Sequence, residues 1–111
     1  RRRARYSYTG SQGEYKPTTY STEKRYDYRG EKFSLQDIAM LRAKAMAKHR
    51  VLTHSIHGMA DVPRAPIPEG IGVSNASHYK NVSTCIVGST VVADGWCKST
   101  SGYIYRVRFW R

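Results

Sequence analysis

The chain has 111 residues, enough for one domain with one core. Its 19 lysines and arginines against 8 aspartates and glutamates give a formal charge of +11, which draws nucleic acid, anionic glycans or acidic membrane surfaces and dictates no fold. No apolar run is long enough to cross a bilayer, no signal peptide or repeat is visible, and two cysteines are too few for a cysteine-built zinc site.

Residues 1–32 read as an extended arm. It carries Tyr6, Tyr8, Tyr15, Tyr20, Tyr26 and Tyr28 but no Val, Leu, Ile, Met, Phe or Trp. Tyr6-Ser7-Tyr8 and Tyr26-Asp27-Tyr28 alternate with period two, as extended chain does, and Gly10, Gly13, Pro17 and Gly30 interrupt the pattern. The chain opens Arg1-Arg2-Arg3 without a methionine and is read as a mature chain or a fragment. With no interior of its own, the arm either stays solvated or docks its tyrosine rings on another surface, and the docked arm is the expectation carried forward.

A single amphipathic helix is predicted from Ser34 to about residue 50. Ser34 is a good N-cap with Asp37 three residues on. Leu35, Ile38, Leu41, Ala45 and Met46 recur at three- and four-residue steps and make one face. Arg42, Lys44 and Lys48 are assigned mostly to the other side, and His49 and Arg50 close the last turn, where positive charge suits the dipole. Val51 to Pro68 is a loop, because Gly58, Pro63, Pro66 and Pro68 forbid helix. Glu69 to Ser74 is a short strand. Val82–Val87, Thr90–Cys97 and Tyr103–Trp110 are further strands, the last two joined as a hairpin through Ser99-Thr100-Ser101-Gly102. In the last strand Tyr103, Tyr105, Val107 and Phe109 share one face, and Ile104, Arg106, Arg108 and Trp110 the other.

Cys85 and Cys97 both fall in strand-like sequence and are expected to form a disulfide, two buried thiols being the alternative. Asn75 and Asn81 head glycosylation sequons. His54, His57 and Glu69 are the residues best suited to acid–base or metal chemistry, although a loop His-x-x-His is more often structural than ligating. No phosphate loop and no serine or cysteine nucleophile paired with a base is present.

A helix ending Met46-Ala47-Lys48-His49, then Leu52-Thr53-His54-Ser55, a loop to Glu69-Gly70-Ile71-Gly72 and a final Tyr105-Arg106-Val107-Arg108-Phe109 run resemble the CAP superfamily, the cysteine-rich secretory and pathogenesis-related proteins, over residues 35–111. The resemblance implies a secreted α-β-α sandwich whose cleft presents two histidines and two glutamates. His54 and Glu69 would be one of each. The second histidine, the second glutamate and the family's first helix have no counterpart, so a reduced relative with half a cleft is implied.

The expectation is therefore an α+β domain at residues 33–111, one long amphipathic helix packed on a small antiparallel sheet of three or four strands, preceded by the arm. The functional expectation is a secreted, non-enzymatic structural protein without cofactor, assembling with copies of itself into an oligomer or filament through the arm. The alternative is a binding module for an anionic polysaccharide, cell-wall polymer or lipid, contacted by Arg1, Arg2, Arg3, Arg5, Arg106 and Arg108. A metal-assisted hydrolase using His54, His57 and Glu69, or a nucleic-acid binder, stands behind these.

Overall fold

A computed structural model describes residues 24–111. Tyr6, Tyr8, Tyr15 and Tyr20, and Arg1, Arg2, Arg3 and Arg5, lie outside the described residues, and most of the expected arm with them. The fold is α+β: a hairpin of β1 (Arg25–Tyr28) and β2 (Glu31–Ser34), the helix α1 (Leu35–His49), and a three-stranded antiparallel sheet of β3 (Glu69–Ser74), β4 (Val91–Lys98) and β5 (Ile104–Trp110) in the order β3-β5-β4. No helix among the described residues is long and apolar enough to cross a membrane.

The end of the arm folds back on its own chain. Arg29 and Gly30, at φ 53° and 85°, make the tight two-residue turn that pairs Tyr28 with Glu31. Tyr26 and Tyr28 pack on the core, the Tyr28 ring lies 6.5 Å from that of Phe33, and the Tyr28 hydroxyl donates to Asp61. The hairpin spans 25–34 and so crosses the boundary expected at residue 32.

The helix starts where its capping residues place it. Ser34 Oγ accepts from the Asp37 N–H at 3.0 Å, and an Asp37 carboxylate oxygen accepts from the Ser34 N–H at 3.1 Å. Arg50 ends it in the left-handed region at φ 55°. Ile38, Leu41 and Met46 are fully buried against Val107 and Phe109 of the sheet. Arg42 and Lys44 correct the outward assignment, since both are buried. Lys44 lies near Cys97, and burial lowers the pKa of its ammonium.

Strand parity fixes the two faces of the sheet. Cross-strand partners Glu69 and Phe109, Ile71 and Val107, and Cys97 and Tyr105 share the helix-facing side. Gly70, Gly72, Asp94, Trp96, Arg106, Arg108 and Trp110 face the other way. At Gly95 the sheet comes up close under the helix: a Cβ there would come within 2.5 Å of the Ala39 carbonyl carbon and the Met40 nitrogen. At the free edge of β4, the Gln36 side chain donates to Asp94 O at 2.8 Å and accepts from Asp94 N at 3.0 Å, closing one unpaired backbone step.

Residues 82–88 are not the expected strand. They cross the outer face as a strap, so close that the carbonyl oxygens of Ser83 and Cys85 occupy the space where a Cβ on Gly72 or Gly70 would stand. Chain lying on a face has no ladder to join; Arg106 Nη1 holds Val82 O at 3.0 Å and Arg108 Nε holds Thr84 Oγ1 at 2.9 Å instead. Arg106 and Arg108 thus belong to the central strand rather than an exposed edge, and Arg106 is buried in a two-point pair with Asp94.

The expected disulfide is absent. Cys85 and Cys97 are free thiols, one exposed on the strap and the other buried on the helix side of β4, with the sheet between them. Burial pushes the Cys97 thiol up to about 11, partly offset by Lys44. A thiol-reactive aromatic disulfide at pH 7.5 should label Cys85 quickly and Cys97 only on unfolding, as peptide mass mapping would show; no labelling before reduction would mean a cystine. Asn75 and Asn81 are exposed.

Candidate functional site

The loop from Val51 to Pro68 meets α1 at Arg42, midway along the helix, beside the start of β3, leaving a pocket of about 170 Å³ lined by Arg42, His54, His57, Arg64, Glu69 and Phe109 among others. Its centre is the Glu69 carboxylate. Glu69 opens β3 on the helix-facing side, opposite Phe109, and is 11% exposed. Arg42 meets it from the helix with Nε 2.6 Å from Oε2 and Nη2 3.2 Å from Oε1. The forked guanidinium matches the carboxylate at two points, which fixes orientation as well as charge.

Arg42 also fixes the loop. Its Nη1 donates to Pro63 O at 2.9 Å and its Nη2 to His54 O at 2.6 Å. One buried cation therefore joins helix, sheet and loop. Burial at 3% exposure is tolerated because four hydrogen bonds to three residues take up its donors.

Glu69 Oε1 lies 2.8 Å from His54 Nδ1. A carboxylate only accepts, so Nδ1 carries the hydrogen and Nε2 is left as the ring nitrogen available for proton transfer. His54 is 59% exposed, so the ring is reachable from solvent while its orientation is held from below. His57 lines the same pocket from the short 3-10 turn Ile56–Gly58. Desolvation lowers its pKa, with the positive charges of Arg42 and Arg64 adding to the effect and Glu69 opposing it. The shift favours the neutral form of His57, the form that accepts a proton.

His54, His57 and Glu69 are thus brought to one pocket, but not as a metal site. Among the described residues no group of three His, Cys, Asp or Glu side chains is placed to hold a metal ion. Glu69 has both oxygens engaged, by Arg42 and His54. Arg42 and Arg64 were not among the sequence candidates. Arg42 could have been found, because it follows Ile38 and precedes Met46 by four residues, which puts it on the buried stripe. Nothing in the local sequence marks Arg64.

No protein-family model, curated protein or solved structure matches the chain. The pocket's own groups are a carboxylate fixed by a buried arginine, two histidines in different settings, and a second arginine at the mouth.

Proposed function

We propose that this domain cleaves single-stranded RNA at the Glu69 pocket. The observation that carries this reading is the Glu69 carboxylate bridging Arg42 and His54 in a pocket whose other ionisable groups are His57 and Arg64. Two histidines supply a proton acceptor and a proton donor, and the surplus positive charge suits a phosphodiester. RNA brings its own nucleophile. Neutral His57 removes the proton of the 2′-hydroxyl, the 2′-oxygen attacks the adjacent phosphorus, the bond from phosphorus to the 5′-oxygen breaks, and the imidazolium form of His54, which carries hydrogens on both ring nitrogens, gives its Nε2 proton to the leaving 5′-oxygen. The products are a 2′,3′-cyclic phosphate and a 5′-hydroxyl end. Arg64, exposed at the mouth, contributes charge that holds the phosphate, and Arg42 keeps Glu69 and hence His54 in place.

The charge of +11 favours a polyanion in general. The site chemistry favours RNA over a polysaccharide, because glycoside hydrolysis ordinarily needs two carboxylates flanking the bond, and among the described residues Glu69 is the one carboxylate lining this pocket. Self-assembly through the tyrosine arm has less support: Tyr26 and Tyr28 are used within the chain, and the other four tyrosines lie outside the described residues.

The test is incubation of the purified chain with a single-stranded RNA and the matching DNA in excess chelator, with product ends identified by mass spectrometry. RNA should yield cyclic phosphate ends while DNA stays intact, and His54→Ala or His57→Ala should each slow cleavage by about 10²–10⁴-fold. Both histidines are exposed, so circular dichroism should show these variants folded. Intact RNA, or cleavage indifferent to both substitutions, would refute the proposal.

A further inference from the structure

The sheet carries a second hollow, of about 200 Å³, on the face turned away from the Glu69 pocket. Trp96 and Lys98 alternate outward along β4, and Lys98 is paired across the ladder with Ile104. Over them lies the short turn Tyr79–Asn81. The Tyr79 ring stacks parallel on Trp96 at 5.2 Å and 2°, and His78 stacks on Tyr79 at 5.0 Å and 24°.

This stack is held before any ligand arrives. The Arg106 guanidinium lies 5.2 Å over the Tyr79 ring. Arg106 also donates to Tyr79 O at 3.3 Å and Val82 O at 3.0 Å, and Asp94 holds it from the strand. The rings are nevertheless only half-covered: Trp96 and Tyr79 are partly exposed and His78 is exposed. An ordered aromatic surface left half in water, with a lysine beside it, is what a stacking ligand with a nearby negative charge would use.

We propose that this hollow is a stacking subsite for an unpaired base of a single-stranded nucleic acid, with Lys98 meeting the adjoining phosphate. At about 200 Å³ the hollow falls below the roughly 300 Å³ at which pockets enclose a whole drug-sized ligand, so it takes one ring system. Stacking tolerates any base, because every base has a π-face, whereas the phosphate contact selects a polyanion. The subsite lies on the opposite face from Glu69 and does not require that pocket to cut RNA.

The test uses two fluorescein-labelled DNA six-mers at one salt concentration, one of deoxyadenylates and one with the same backbone but no bases, read by anisotropy. DNA lacks the 2′-hydroxyl, so cleavage of the kind proposed above does not interfere. The deoxyadenylate strand should bind about tenfold tighter than the abasic one. Trp96→Leu should remove that gap, and Trp96→Phe, which keeps a ring in place, should retain most of it. Equal affinities for the two strands in the unsubstituted protein, a gap unchanged by Trp96→Leu, or displacement of the six-mer by a neutral cello-oligosaccharide would each overturn the subsite. Cleavage is read separately on RNA, so either proposal fails without the other.

Discussion

Replacing Arg42 with methionine should lower the free energy of unfolding by about 3–5 kcal/mol, read as a fall in the urea midpoint at unchanged slope. The magnitude follows from what is left behind rather than from what the ion pair is worth. Arg42 is 3% exposed and Glu69 11%, so the substitution leaves a largely buried carboxylate with the His54 imidazole as its remaining side-chain partner. It also strands the carbonyls of Pro63 and His54, each an acceptor that loses its donor. Methionine keeps much of the arginine stem's volume, so lost packing contributes little. Glu69→Gln in the Arg42→Met background should recover part of the loss by removing the buried charge that has lost its arginine, and the double-mutant cycle isolates the pair term. A loss below about 1 kcal/mol for Arg42→Met would mean the carboxylate is solvated once its partner is gone. The loop would then be held by its prolines and Ile56 rather than by the guanidinium, and His54 would keep its position for another reason.

That dependence explains which parts of the architecture were legible in the sequence. Features set by neighbours in the chain could be read directly. Ser34 and Asp37 are three residues apart and form the reciprocal cap. Glu69–Ser74 was predicted with the bounds it has, and the closing hairpin to within a residue, because apolar alternation and the Ser-Thr-Ser-Gly turn are local. Features set by distant partners could not. Arg42 is buried because Glu69, 27 residues on, is there to receive it, and Arg106 because Asp94 lies across the ladder. A charge on a helix or strand is ordinarily assigned to water, and only the partner reverses that assignment. The strap fails for a related reason: Val82–Val87 has strand composition, yet it rests on a sheet face already made by Gly70 and Gly72, where there is no edge to pair with. Strand-like surroundings say nothing of which face a cysteine takes, and the sheet divides Cys85 from Cys97. The chemistry of His54, His57 and Glu69 is legible from residue type and the three share a pocket, but among the described residues they form no metal-binding group, and Arg42 holds the carboxylate.

Gly95→Ala should cost about 3 kcal/mol and lower the melting temperature by roughly 10–20 °C, although the change adds only one methyl group. In an unconstrained strand the same substitution would help, since alanine gives up less backbone entropy than glycine on folding. Here the new Cβ would stand 2.5 Å from the Ala39 carbonyl carbon and the Met40 nitrogen and 2.6 Å from the Ala39 oxygen. All three are helix backbone, so no rotamer change relieves the contact, and α1 must move bodily away from β4. Gly58→Ala supplies the control: its Cβ would meet nothing within 4 Å, so its stability should stay within about 0.5 kcal/mol of the parent. The shift also reaches the pocket. Arg42 lies less than one helical turn beyond Met40, and it grips Glu69 through contacts as short as 2.6 Å. Lifting α1 stretches that grip, releases the carboxylate that orients His54, and should slow RNA cleavage even at temperatures where Gly95→Ala remains folded. A variant that loses stability but keeps full cleavage would show that the pocket holds itself together without the helix being seated on Gly95.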